Sequence, residues 1–183
     1  MKTTVYPLCI LLFLFFITGC RRIDENSNSY LELSRFIGER ISVESISLIP
    51  VHLKDGIKKQ DLFSYRYKMY FYVDSAKCTE CKASALRKIE KNFKDMPGDD
   101  FTIIAIVRGD DYLNVKKLFE TYQITAPLFI DPDNSIKKNN SQFPNKDHFH
   151  VFLTVSDTIV ALGSPVDNPK LADLYKRYIT HQK

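Results

Sequence analysis

The sequence predicts an α/β domain with a mixed sheet, and three observations carry that prediction. Strand-like and helix-like patterns alternate along the middle of the chain, two short β-rich runs flank Ser156-Asp157 as a hairpin, and a helical pattern closes the C-terminus. Alternation favours parallel strands joined by helical crossovers, and the hairpin adds antiparallel pairs.

Taken in order, Ile41 to Leu53 alternates in places and suggests an opening strand region, broken by Pro50. Lys54 to Gln60 is charged and loop-like. Met69 to Val73 has the aromatic and β-branched composition of a buried strand. From Cys78 onward, Leu86, Ile89 and Phe93 fall on one helical face, with Arg87, Lys88, Glu90 and Lys91 on others; Pro97-Gly98 stops that helix. Phe101 to Val107 is nearly continuous apolar sequence, as in a strand covered on both faces. Asp110 to Gln123 returns to helical spacing through Leu113, Leu118 and Tyr122. Pro127 to Asp131 reads as a short strand and Ser135 to Asn140 as a helical turn. Val151 to Val155 and Thr158 to Leu162 form the hairpin, and Pro169 to Ile179 closes with a helix carrying Leu171, Leu174, Tyr175 and Tyr178.

The N-terminus has a different character. Lys2 is the only charge before Cys20, and Leu8 to Ile17 is almost entirely apolar. This is the pattern of an export signal, with an apolar run too short for a comfortable membrane span. Ile17-Thr18-Gly19-Cys20 resembles the bacterial lipobox, in which the cysteine receives diacylglyceryl and palmitate chains. The resemblance implies a signal peptide over 1–19, a lipidated tether over 20–33 beginning at Cys20, and a folded domain over 34–183. It also implies a bacterial envelope protein, anchored to the lipid bilayer and facing the periplasm. The formal net charge of +4 is mild and dispersed among acids, which argues against nucleic acid as a partner.

Of the four cysteines, Cys9 lies in the leader and Cys20 at its end. The remaining two form Cys78-Thr79-Glu80-Cys81, where a strand pattern gives way to a helix pattern. A lone C-x-x-C in that setting reads first as a redox pair. At a helix N-terminus, unpaired amides and the dipole stabilise a thiolate, so Cys78 is the expected nucleophile, with a pKa below the usual value of about 8.5. Cys81, one turn on and expected to be more buried, resolves the mixed disulfide. Glu80, or Asp74, is a candidate acceptor for the Cys81 proton; the competing role for Glu80 is a solvated first-turn acid.

With this motif on this order of elements, the chain resembles the thioredoxin-like envelope proteins, specifically lipoprotein relatives of the TlpA and redoxin type. Its sharpest pieces are Asp74 to Lys82 and the tail Val160 to Leu171. The resemblance implies a three-layer thioredoxin-like fold with a central mixed sheet, in which Pro127 to Asn140 is an inserted strand and helix. It implies thiol-disulfide oxidoreductase activity, with envelope protein thiols and disulfides and a membrane electron donor or acceptor as partners, and no cofactor besides the redox-active disulfide. Where relatives often have tryptophan before the first cysteine, Lys77 stands, and the chain has no tryptophan. The position of the usual buried acid falls on Tyr72. The loop that faces the cysteines, which carries a cis-proline in thioredoxins, corresponds to His148, Phe149 and His150, with Phe149 expected trans.

A second reading follows from the same residues. Cysteine thiolates with an imidazole suit copper or zinc, and the chain resembles the Sco-like copper proteins in offering Cys78, Cys81 and His148. Those proteins place three residues between the cysteines; this chain places two.

Overall fold

The aromatic run Tyr67–Val73 is buried along its whole length, as a strand covered on both faces must be, and the sheet extends outward from it. In order, the elements are β1 (Ile49–His52), α1 (Lys59–Ser64), β2 (Tyr67–Val73), α2 (Thr79–Phe93), β3 (Phe101–Arg108), α3 (Tyr112–Thr121), β4 (Leu128–Asp131), α4 (Ser135–Asn139), β5 (Val151–Val155), β6 (Thr158–Leu162) and α5 (Pro169–His181). The computed structural model describes residues 35–54, 56–74, 79–96, 100–109, 112–141, 143, 150–166 and 168–181, all within the unit Arg35–Lys183. Residues 1–34, with the expected leader and Cys20, lie outside the described residues.

The six strands run in the order β1-β4-β3-β2-β5-β6. β2, β3 and β4 are parallel neighbours, while β1 on β4, β5 on β2 and β6 on β5 are antiparallel. This is the mixed sheet that the sequence predicts, and β4 with α4 is the expected inserted strand and helix. Ser156 and Asp157 take positive φ values of 47° and 68°, the geometry that lets a two-residue turn match the twist of its strands.

Side chains alternate across β2. Tyr67, Met69, Phe71 and Val73 join one core with Leu86, Ile89 and Phe93 of α2, Val115 and Phe119 of α3, and Tyr175 and Ile179 of α5. Each such side chain contributes about 1.5–3 kcal/mol by leaving water. That burial holds α2, because a 15-residue helix is marginal alone. Tyr70 and Tyr72 turn to the other face, stacking on Phe152 and meeting Phe143 edge-on. There α1 contributes Phe63 against Phe129 and α4 contributes the buried Ile136. Helix, sheet and helix make three layers.

Several local expectations are corrected. Only Ile49–His52 of the opening region is a strand. Ile41, Val43, Ile46 and Leu48 are buried, but their backbone does not join a ladder: Ile41 N–H donates to Asp157 O at 2.9 Å and Ile46 N–H to Val43 O at 3.2 Å. Pro50 lies within β1, which is at the sheet edge, where a missing donor is tolerated, and the pairing with β4 shifts register between Pro50 and His52. The segment expected to be a loop up to Gln60 runs into α1. In α3 the buried face is Val115 and Phe119, and Leu113 is exposed; in α5, Leu174 is exposed likewise.

Candidate active site

Parallel strands β2, β3 and β4 all point their C-terminal ends to one edge of the sheet, the place where open α/β sheets gather functional groups. Strand β2 ends at Val73, Asp74 follows, and α2 begins at Thr79. Residues 75–78, with Cys78, lie outside the described residues. Cys81 sits in the first turn of α2 and is disulfide-bonded. It is exposed: the core face of α2 is Ala83, Leu86, Ile89 and Phe93, and Cys81 falls outside that stripe. Glu80 is exposed in the same turn, the position of a solvated acid complementing the helix dipole.

Asp74 has no freedom to act as the second candidate base. Its Oδ1 accepts a hydrogen bond from Arg108 Nη1 at 2.9 Å, and its Oδ2 is ion-paired with Lys137 Nζ from α4. Burial alone pushes its carboxyl up, but the hydrogen bonds and charges of Lys137 and Arg108 outweigh burial and hold it below the usual range. An acid in that state is a poor proton acceptor. Because its folded pKa is depressed, Asp74 adds stability that is present above its ordinary pKa of about 3.9 and lost as pH falls through the folded value. Urea midpoints of the native protein should therefore fall more steeply below about pH 4 than those of Asp74→Asn; equal slopes would contradict the ion cluster.

The inserted helix is fixed to the same edge. Asp131, fully buried at the end of β4, accepts hydrogen bonds from Ser135 N–H at 2.7 Å and Ile136 N–H at 3.0 Å. Asn134 Oδ1 accepts the Tyr72 hydroxyl at 3.1 Å. Burial first, then the charges of Asp131 and Asp74, pushes the Tyr72 phenol far above its ordinary value, so it remains a donor.

Of the expected facing loop, His148 and Phe149 lie outside the described residues, whereas His150 is described and only 1% exposed. Its ring packs against Tyr72 and Phe143, with centroids 5.5 Å and 5.4 Å away, and its carbonyl accepts the Tyr72 amide at 2.8 Å. The structure has no cis peptide among the described residues, Pro127 included, and Pro127 leads directly into β4. Cys78 and His148, two of the three ligands in the metal reading, lie outside the described residues. Among the described residues no group of three His, Cys, Asp or Glu side chains is placed to hold a metal, and no helix is long and apolar enough to cross a membrane.

Sequence reasoning missed two polar residues that shape this end of the fold, Arg108 and Lys137, and one at the opposite end of the sheet, Glu90. Glu90 is buried, and its Oε1 accepts from Thr125 N–H, Thr125 Oγ1 and Ala126 N–H at 2.8, 2.9 and 2.7 Å. It ties α2 to the loop entering β4. A signal existed: Glu90 stands four residues after Leu86 and one after Ile89, at the border of the apolar stripe.

No model of a known protein family matches the chain, and no curated protein matches it. Solved structures do. The thioredoxin domain of a thiol-disulfide oxidoreductase from Bacteroides vulgatus is 14% identical, with a TM-score of 0.54 over 79% of this chain and 98% of that one. A thiol:disulfide interchange protein from a Bacteroides species is 15% identical, with a TM-score of 0.52 over 80% and 92%. A protein provisionally named a protein disulfide isomerase, from Bacteroides thetaiotaomicron, is 21% identical, with a TM-score of 0.52 over 78% and 87%. Strand order, inserted β4–α4 pair and these likenesses together give the chain a thioredoxin-like α/β fold.

Proposed function

We propose that this chain is a thiol-disulfide oxidoreductase of the bacterial envelope, anchored by lipid at Cys20 and working through Cys78 and Cys81. The observation that carries the reading is Cys81 itself: exposed, disulfide-bonded and in the first turn of the helix that follows the central strand. Its partner is assigned to Cys78, since removal of the leader takes Cys9 and lipidation occupies Cys20. A disulfide closing so short a loop restrains the unfolded chain very little, so use in exchange explains it better than stapling. The solved structures of like fold bear names from the same chemistry, which supports the assignment.

In the reducing direction, the Cys78 thiolate attacks one sulfur of a substrate disulfide and expels the other as a thiolate, leaving a mixed disulfide. Cys81 then loses its proton and attacks the Cys78 sulfur. The second substrate thiolate departs, and the Cys78–Cys81 bond closes. Two electrons pass to the substrate, whose thiolates take up protons; the oxidising direction is the reverse. Solvent access at Cys81 lets water accept its proton. Metal binding by Cys78, Cys81 and His148 is the alternative for the same sulfurs.

Insulin reduction tests the proposal. The mature protein should accelerate it, Cys78→Ser should abolish the rate, and Cys81→Ser should accumulate a mixed disulfide with substrate. Full activity in Cys78→Ser would overturn the assignment. Mass spectrometry of membrane-extracted protein should begin at an acylated Cys20; an intact Met1 would remove the anchor.

A further inference from the structure

We infer that Lys137 is a positioning residue for the redox pair: held on α4, it neutralises Asp74 at the mouth of β2 and so sets how readily the disulfide at Cys81 is reduced. The inference rests on the proposed exchange chemistry and adds a residue to it from the inserted helix.

The geometry is long-range and built. Asp131 fixes the start of α4 through two backbone amides, and Lys137 is the third residue of that five-residue helix. From there its ammonium reaches Asp74 Oδ2, 63 positions away in sequence, and lies over the Phe143 ring, 5.9 Å from its centroid. Phe143 packs in turn on His150. Lys137 thus touches both the residue that leads into the cysteine segment and the aromatic group at the entry to β5.

Two cations meet one carboxylate here, and exposure ranks them. The Lys137 side chain is 21% exposed and that of Arg108 is 45%, so the Arg108 charge is the more screened by solvent. Asp131 is committed to the α4 amides, and the charges beside the cysteines in sequence, Lys77, Glu80 and Lys82, stay unchanged when Asp74 or Lys137 is replaced, so each comparison isolates that pair. Asp74 stands four residues before Cys78, and an extended chain spans at most about 3.3–3.6 Å per residue, so their α-carbons can be no more than roughly 14 Å apart. Without Lys137 the carboxylate keeps only the more exposed Arg108, and a carboxylate less fully compensated disfavours a nearby thiolate. Reduction of the disulfide by two glutathiones yields the dithiol and one glutathione disulfide; whatever stabilises the Cys78 thiolate draws that equilibrium toward the dithiol.

Charge and mere support predict different signs. Lys137→Met keeps the aliphatic stem and should lower the equilibrium constant for reduction by glutathione about threefold to tenfold, a fall of roughly 15–30 mV in potential. Asp74→Asn should raise it, Lys137→Arg should leave it near the native value, and the Asp74→Asn/Lys137→Met double variant should return close to native. Circular dichroism and urea midpoints confirm that each variant is folded. Movement of both single variants in the same direction, or a constant unchanged in all of them, would overturn the inference while leaving the proposed function standing. A native disulfide that does not equilibrate with glutathione at all overturns both.

Discussion

Replacing Asp157 by Asn should destabilise the fold by about 3 kcal/mol, through a lysine in the middle of the sheet. Lys68 lies in β2 with its side chain only 3% exposed. Its ammonium has three donors, and all are used: Phe63 O at 3.0 Å, Tyr65 O at 2.8 Å and Asp157 Oδ1 at 2.9 Å. Asp157 sits in the hairpin turn at positive φ, so Asn is the substitution that keeps the backbone comfortable and removes only the charge. What remains is a buried ammonium held by neutral oxygens alone. Lys68→Met should cost less, because it strands no charge even though two carbonyls lose a donor. Urea unfolding with an unchanged slope reads both effects. An Asp157→Asn midpoint equal to the native one would show that the pair contributes nothing.

Glu90→Ala should cost a similar amount, roughly 3 kcal/mol. The Ala126 amide is buried and loses its acceptor outright. The Thr125 groups are exposed and recover water, so the cost falls well short of three full desolvation penalties. Arg87, 3.4 Å from Glu90 Oε2, also loses its partner. Glu90→Gln keeps an acceptor at Oε1 and should stay within about 1 kcal/mol of native. A Gln variant as unstable as the Ala variant would mean that charge, and not the acceptor, holds the loop.

These two residues mark what the sequence conceals. Local pattern made β2, β3, α2 and the hairpin legible, because a continuous apolar run, a stripe at helical spacing and a two-residue turn each write themselves into neighbouring positions. Lys59–Ser64 left no such trace: its two buried side chains, Leu62 and Phe63, are adjacent, which matches neither period. Residues 41–48 carried an alternating signal that coil packing produced. In α3, Leu113 and Val115 both fit helical spacing, and only the position of the sheet decides which face is buried. The Asp74–Arg108–Lys137 cluster joins residues 34 and 63 positions apart, a pairing that no window of sequence contains. The C-x-x-C motif was legible at once; the charges around its approach were not.

In the proposed function, Cys78 and Cys81 form one redox-active pair. That pairing is tested most directly by equilibrating the mature protein in glutathione buffers of graded potential, trapping thiols by alkylation and mapping the peptides by mass spectrometry. Cys78 and Cys81 should be joined to each other when oxidised and gain label together in a single two-electron transition. A Cys81 that pairs with another cysteine, or that stays oxidised across the whole range while Cys78 is labelled, would contradict it.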